Sequence, residues 1–322
     1  QTALRVVVVA EKTVTLPGEL NKYAFRYLRL QDVPTDTCTV WTIKSIGVEP
    51  FGTPDKENAY NVKLNSKTSA PLVSLTRDGI LLSINTEARE QPLSPLPEAI
   101  PAPEPLNPRK YMNQEILSAG STAKMAELCA QEIYDIRDSR NALVRGEADN
   151  TPKDGEQLRL MLDQLEIQDK ALTQLFGGSA ETSTEVFSLV YQPTGETEKD
   201  ILFRFSQFSG VVDADDLSGE PVYISIAGKG SLPTKPAAEE KGKKKFFSFL
   251  KKGSKNSKGI YYNVPARVGV SIFDVNRTIC ETECSLAQLG YVEMLDVALF
   301  NKKPSTKVTF YQENGGVKRL EQ

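Results

Sequence analysis

Apolar and polar positions alternate over both ends of the chain and follow a helical period in the middle. Near the N-terminus, "LRVVVVAEKTVTL" (4–16) predicts a strand, and Pro17-Gly18 predicts a turn after it. Tyr23, Tyr27 and Leu30 then fall at helical spacing. "CTVWTIKSIGVEP" (38–50) alternates again, and two short strands flank Asp78-Gly79, a hairpin turn pair. Strands return after residue 185 with "EVFSLVYQ" and "ILFRFSQF" on either side of a polar turn region, "PTGETEKD". "PVYISIAG" (221–228) places Val222, Ile224 and Ile226 on one face. "GIYYNVPARVGVSIFD" (259–274) does the same with Val268, Val270 and Ile272, after a break at Pro265. A last hairpin turns at Asn314-Gly315. Five or more antiparallel strands in this region predict a sandwich or partly open barrel.

The middle of the chain has two other textures. Residues 91–108 hold seven prolines in eighteen residues, a composition that predicts an extended connector. Residues 120–147 and 154–176 predict two helices. Met125, Cys129, Ile133, Ile136 and Leu143 form the stripe of the first, beside Ala126 and Ala130. Leu158, Met161, Leu165, Leu172 and Leu175 form the stripe of the second. Gly146 suits a left-handed C-cap, Thr151 an N-cap and Pro152 the first helical position. A short link between amphipathic helices makes an antiparallel hairpin. The expected class is α+β: mainly antiparallel β, sandwich or partly open barrel, with an antiparallel helical hairpin. The expected domains are a β-rich segment 1–90, a proline-rich linker 91–108, the helical hairpin 109–178 and an antiparallel β domain 179–322.

Charge changes this picture at one place. Within 241–259, "KGKKKFFSFLKKGSKNSKG", eight of nineteen residues are lysine and none is acidic. Taking those eight charges from a formal net charge of −3 leaves −11 for the rest. An acidic body with one basic spot argues against a nucleic-acid binder, whose basic surface is broad. Lys243, Lys244, Lys245, Phe246, Phe247, Phe249, Lys251 and Lys252 form a candidate membrane or polyanion contact, of the polybasic-aromatic type seen in membrane effector segments. The plainer alternative is a solvated loop joining two strands.

The chain has no histidine, which removes His-based triads, His-ligated metals and imidazole acid–base catalysis. No apolar run has the ~18–20 residues needed to cross a bilayer as a helix. The chain opens at Gln1, which reads as loss of an N-terminal segment such as an export signal. Its cysteines are Cys38, Cys129, Cys280 and Cys284. Cys280 and Cys284 would stand ~13 Å apart on one extended strand, too far to bridge. At least two of the four are expected to be free and buried.

Two other clusters carry candidate chemistry. Asp213, Asp215 and Asp216 in "VVDADDLSGE" offer oxygens for calcium, although the EF-hand spacing is absent and a plain Asx turn explains the same residues. Glu132, Asp135 and Asp138, with Glu147, Asp149 and Asp154, offer carboxylates for glycoside hydrolysis. They alternate with Arg137, Arg140 and Arg145 at helical spacing, the pattern of a solvated ion-paired face, so no catalytic residue is assigned.

Residues 136–178 carry Ile136-Arg137-x-Ser139-Arg140, Gly146-Glu147, Asp149-Asn150, Pro152, Asp154-Gly155 and Leu175-Phe176. With "GVVDADDLSGEPVYI" (210–224), "GIYYNVPA" (259–266) and "LAQLG" (286–290), this stretch resembles domain of unknown function 4831, a family of uncharacterised exported proteins from Bacteroidetes. The lysine-rich stretch between "PVYISIAG" and "GIYYNVP" is longer than the resemblance leads one to expect. The resemblance implies export to the periplasm or outer membrane and brings no activity or cofactor. The function expected is therefore a non-enzymatic cell-envelope protein, binding or structural, whose partner is an envelope protein or a glycan. The rival readings are an Asp/Glu-dependent hydrolase and a peripheral membrane-surface module acting through 241–259.

Overall fold

The structure is a computed structural model that describes residues 1–56, 72–149, 152, 154–235, 259–300 and 306–321. Strand outweighs helix, 42% against 24%, and among the described residues the sheets are antiparallel and do not close into a barrel. The α+β, mainly antiparallel class read from the sequence therefore holds.

Strands β1 (Thr2–Leu16), β2 (Cys38–Gly52) and β5 (Ser179–Tyr191) form a three-stranded sheet in the order β2-β1-β5. A five-stranded sheet comprises β6 (Thr197–Ser206), β7 (Gly210–Val212), β8 (Glu220–Gly228), β9 (Gly259–Phe273) and β10 (Thr278–Asp296), in the order β10-β9-β8-β6-β7. A four-stranded sheet comprises β3 (Val73–Leu75), β4 (Leu81–Ile84), β11 (Lys307–Phe310) and β12 (Val317–Glu321), in the order β12-β11-β4-β3. The helices are α1 (Ala24–Leu28), α2 (Gln114–Leu117), α3 (Thr122–Arg145) and α4 (Gly155–Gly177).

These elements make two compact units, neither of them a continuous stretch. One holds residues 1–10, 43–98 and 186–322; the other holds 11–42 and 99–185. This differs from the consecutive segments 1–90, 109–178 and 179–322. The reason is strand length: the division falls inside β1, β2 and β5, which run for 13 to 15 residues each. A reading that cuts where composition changes has no signal for a cut inside a uniform strand.

In the first unit, Leu4, Val6 and Val8 of β1 and Ile46 of β2 pack on the inner face of the five-stranded sheet. The predicted alternation is realised there. Val222, Ile224, Ile226, Val268, Val270 and Ile272 are buried, and Ile224 faces Ile272 while Ile226 faces Val270 across the ladder. Burying each such side chain contributes about 1.5–3 kcal/mol. A smaller second core gathers Ile84, Ile260, Leu295, Phe300, Val308 and Phe310.

The proline-rich segment is tied down on both sides of the division. Within the first unit, Gln91 N–H donates to Gln312 Oε1 at 2.8 Å, and Gln312 Nε2 returns a bond to the Gln91 carbonyl at 3.1 Å. Ser94 donates from its amide (3.0 Å) and hydroxyl (2.8 Å) to Glu49 Oε1. Arg5 pairs with Glu49 Oε2 and donates to the Ser94 carbonyl. Within the second unit, Ile100 and Thr184 exchange two bonds of 2.8 Å, and Gln174 Nε2 donates to the Leu106 carbonyl. Prolines leave carbonyls and scattered amides unpaired, and side chains of each unit take them up.

In the second unit, Ala126, Cys129, Ala130, Ile133 and Ile136 of α3 pack with Leu172, Leu175 and Phe176 of α4. Gly146 ends α3 at φ 71°, and the Glu147 amide closes a Schellman bond of 2.8 Å to the Ala142 carbonyl. The expected start of the second helix is corrected. Asp154 is the N-cap, accepting from the Glu156 amide at 3.0 Å, so Pro152 precedes the helix; Thr151 lies outside the described residues. Aspartate wins the cap because its side chain sits where the first free amides point. The α4 stripe is also shorter than expected. Leu172 and Leu175 are buried, Leu165 is half-buried, and Met161 is 42% exposed. Across the hairpin, Arg137 makes a two-pronged pair with Asp169 (3.0–3.2 Å), Arg140 approaches it at 3.9 Å, and the Thr173 hydroxyl donates to it at 2.9 Å.

The Glu49 clasp makes folding pH-dependent. Burial pushes the Glu49 carboxyl up, but the Ser94 amide and hydroxyl and the Arg5 guanidinium outweigh that and hold it below the ordinary value of 4.5. A lowered folded pKa stabilises above the unfolded value, and the gain is lost as pH falls through the folded one. Glu49→Gln should cost about 1–2 kcal/mol at pH 7. In denaturant titrations the gap to the wild type should close as pH drops below 4.5.

Candidate functional site

The site grows from a bulge opposite a proline. Pro265 stands inside β9, and its ring Cδ, which takes the place of an N–H, lies beside Gly316 and not against β10. The ladder is in register from Thr278↔Phe273 down to Leu286↔Ala266 apart from one shift at its start, and resumes at Tyr291↔Val264. Residues 287–290 of β10 thus stand opposite Pro265 alone, a bulge of four residues against one. The expected break at Pro265 is real, but its partner strand absorbs it while β9 runs on.

The bulge is held by side chains. Gln288 Nε2 donates to the Thr2 carbonyl (2.7 Å) and the Pro193 carbonyl (3.1 Å), and its Oε1 accepts from the Thr2 amide (3.1 Å). Thr2 Oγ1 accepts from the Ala287 amide and donates to the Glu313 carbonyl at 2.9 Å. Asn263 N–H donates to the Gly315 carbonyl (3.1 Å), and its Nδ2 donates to the Asn314 carbonyl (2.7 Å). Gly290 lies so close to β9 that a Cβ there would stand 1.8 Å from the Val264 carbonyl oxygen.

Beyond the bulge the β9–β10 hairpin leaves the first core. Ile260 and Leu295 belong to the second core, whereas Val268 and Leu286 belong to the first. The change of partner leaves a cleft of about 970 Å³ between the distal hairpin, the β3–β4 hairpin and the turn at Asn314-Gly315. A smaller pocket of about 470 Å³ lies over Asn263, Pro265, Cys284 and Tyr311. The amides lining the larger cleft are already engaged. Gln288 ties the bulge to Thr2, Asn263 holds the turn at Asn314, Gln312 holds Gln91, and Asn314 Oδ1 accepts from the Gly316 amide. What the cleft presents is apolar: Val73, Leu75, Tyr261 and Val292 line it and are 38–53% exposed. Its charged lining is Asp55, Lys56 and Asp78.

β3 forms one wall and is the edge of its sheet among the described residues. The Asn85 amide donates to the Leu72 carbonyl, and Val73 is opposite Ile84. By the antiparallel alternation, the Val73 N–H and C=O point away from β4.

The residues singled out from the sequence lie elsewhere. Lys243, Lys244, Lys245, Phe246, Phe247, Phe249, Lys251 and Lys252 lie outside the described residues. Asp213, Asp215 and Asp216 are exposed on the β7–β8 loop and are not brought together as a cation cage. Asp216 accepts from the Ser218 amide at 2.9 Å, and the Ser218 amide and hydroxyl hold its carboxyl below the usual range. Among the described residues no three Asp, Glu or Cys side chains are placed to hold a metal ion. The hairpin carboxylates serve local roles: Glu132 accepts from Asn113, Asp135 from Gln131, Glu147 pairs with Arg145, and Asp154 caps α4. All four cysteines are free. Burial pushes the Cys129 and Cys284 thiols up to about 11, which leaves them protonated at neutral pH.

With this geometry in hand, the comparison with known families is specific. The family model described as "Domain of unknown function (DUF4831)" matches residues 1–318. The chain belongs to the DUF4831 family. No curated protein and no solved structure matches it. Two stretches that signalled DUF4831 membership, "GIYYNVPA" and "LAQLG", are the two sides of the bulge. Gln288 and Asn263 were therefore inside quoted motifs. Their role was hidden because their hydrogen-bond partners lie far away in sequence.

Gly290→Ala puts a methyl group against backbone that cannot swing aside. It should destabilise the first unit by about 2–4 kcal/mol, read by urea denaturation.

Proposed function

We propose that this protein is an exported cell-envelope binding protein that takes an extended polypeptide segment of its partner into the cleft beside β3. The observation that carries this is the division of labour in the lining: its side-chain amides are engaged internally, while Val73, Leu75 and Val292 are exposed and the Val73 N–H and C=O point outward from β3, an edge strand among the described residues. An extended peptide supplies what that surface lacks, a backbone to pair with the edge and apolar side chains for the wall. A glycan would ask for the polar groups already engaged. The rival hydrolase asks for an acid-rich cleft, and this lining is mainly apolar. Placement at the envelope rests on the resemblance to exported proteins.

A photocrosslinking residue at Leu75 should give a discrete polypeptide adduct in cells. Val73→Pro removes one outward N–H, and proline is tolerated on an edge strand. It should cut the adduct at least about tenfold while leaving the thermal melt unchanged. An adduct of undiminished yield in that variant, or a glycan adduct alone, would overturn the reading.

A further inference from the structure

The three most exposed large apolar side chains among the described residues are Leu217 (82%), Phe208 (74%) and Val275 (72%). They are far apart in sequence, yet the register brings them to one end of the five-stranded sheet. Phe208 sits in the β6–β7 turn, which Ser206↔Gly210 closes. Leu217 sits in the β7–β8 loop, which delivers Glu220 opposite Phe205. Val275 sits in the β9–β10 turn, next to the Thr278↔Phe273 pair, and Phe273 faces Tyr223 of β8. At ~4.8 Å per strand, the tips lie within about 20 Å of one another.

The ground around them is acidic. Asp213, Asp215, Asp216, Glu220 and Asp274 stand on these loops and strand ends against Arg204 and Arg277. Arg204 is turned inward, donating to the Ala214 and Gly219 carbonyls. Asp274 accepts from the Asn276 and Arg277 amides, so the turn that carries Val275 is set by its own hydrogen bonds. Three apolar points on an acidic rim are unfavourable in water and fit a partner that is both basic and apolar.

The chain itself contains such a partner. Segment 241–258 has eight lysines, three phenylalanines, a leucine and no acid. The strands that flank it in sequence end at Gly228 of β8 and begin at Gly259 of β9, at the end opposite the tips. To reach the tips of its own sheet it would have to run back along β8, ~27 Å from Gly228 to Glu220. We infer that the tip surface of one copy, built on Phe208, Leu217 and Val275, binds the lysine–phenylalanine segment 241–258 of a second copy. The contact joins two different surfaces, so copies can pair reciprocally or add head to tail.

Sedimentation velocity on the full chain tests this. Wild type should grow in mass with concentration, and salt should weaken the growth by screening. Phe208→Ser with Leu217→Ser damages only the tips, and Lys243→Glu, Lys244→Glu and Lys245→Glu together damage only the segment. Each triple or double variant alone should associate at least about tenfold more weakly. An equimolar mixture should regain a complex that stops at two copies, because one intact tip meets one intact segment. Asp213→Asn with Asp215→Asn, which leaves every apolar tip in place, should weaken association and flatten its salt dependence. Wild type that stays monomeric at low salt, or a mixture that stays apart, overturns the inference. Capture of wild type and tip variant alike on phosphatidylglycerol vesicles, without self-association, overturns it too and assigns the segment to lipid.

Discussion

One bulge shapes the larger unit. β9 and β10 pair along most of their length, and the ladder is interrupted opposite Pro265. Residues 287–290 of β10 leave the ladder there, between Leu286↔Ala266 and Tyr291↔Val264. A bulge of that size frees backbone groups that are costly to bury unpaired. Thr2, Gln288 and Asn263 take up those groups or brace the turn beside them. The bend also changes which core the hairpin serves, from Val268 and Leu286 on one side to Ile260 and Leu295 on the other. The cleft is the space left by that change of direction.

The helical hairpin follows the opposite logic. Its geometry is regular and its register is set at the surface as well as the core. Arg137 reaches Asp169 with two nitrogens, and Thr173 donates a further bond to the same Oδ1. A planar guanidinium fixes angle as well as distance, which a lysine could not do. This is a structural use of an acid, Asp169.

Local physics was legible in the sequence, and long-range physics was not. The alternation of Val222, Ile224 and Ile226 and the stripe of Cys129, Ile133 and Ile136 depend on neighbours in the chain, and both are buried as the pattern requires. The Asp78-Gly79 and Asn314-Gly315 turns are likewise local. Asp154 displacing Thr151 as cap is a local competition decided by three residues of offset, beyond what a pattern resolves. The outer stripe of α4 failed for another reason. Amphipathicity states which face is apolar, not how far along the helix something covers it, and Met161 is left exposed. The cleft was invisible because its walls come from residues 73–81, 260–263 and 310–315, and no periodicity links them.

The motifs that tie the chain to its family have a physical reading. "IRDSR" supplies Arg137 and Arg140 to the Asp169 latch. The stretch 210–224 sets the turn around Asp216 and then a buried strand. "GIYYNVPA" and "LAQLG" build the bulge. Each feature answers a backbone demand or a packing demand, and each could be met in a protein with any ligand. A family recognised by such residues is recognised by its scaffold. The edge of β3 and the apolar tips at one end of the five-stranded sheet are among the parts of the described chain that this scaffold leaves exposed.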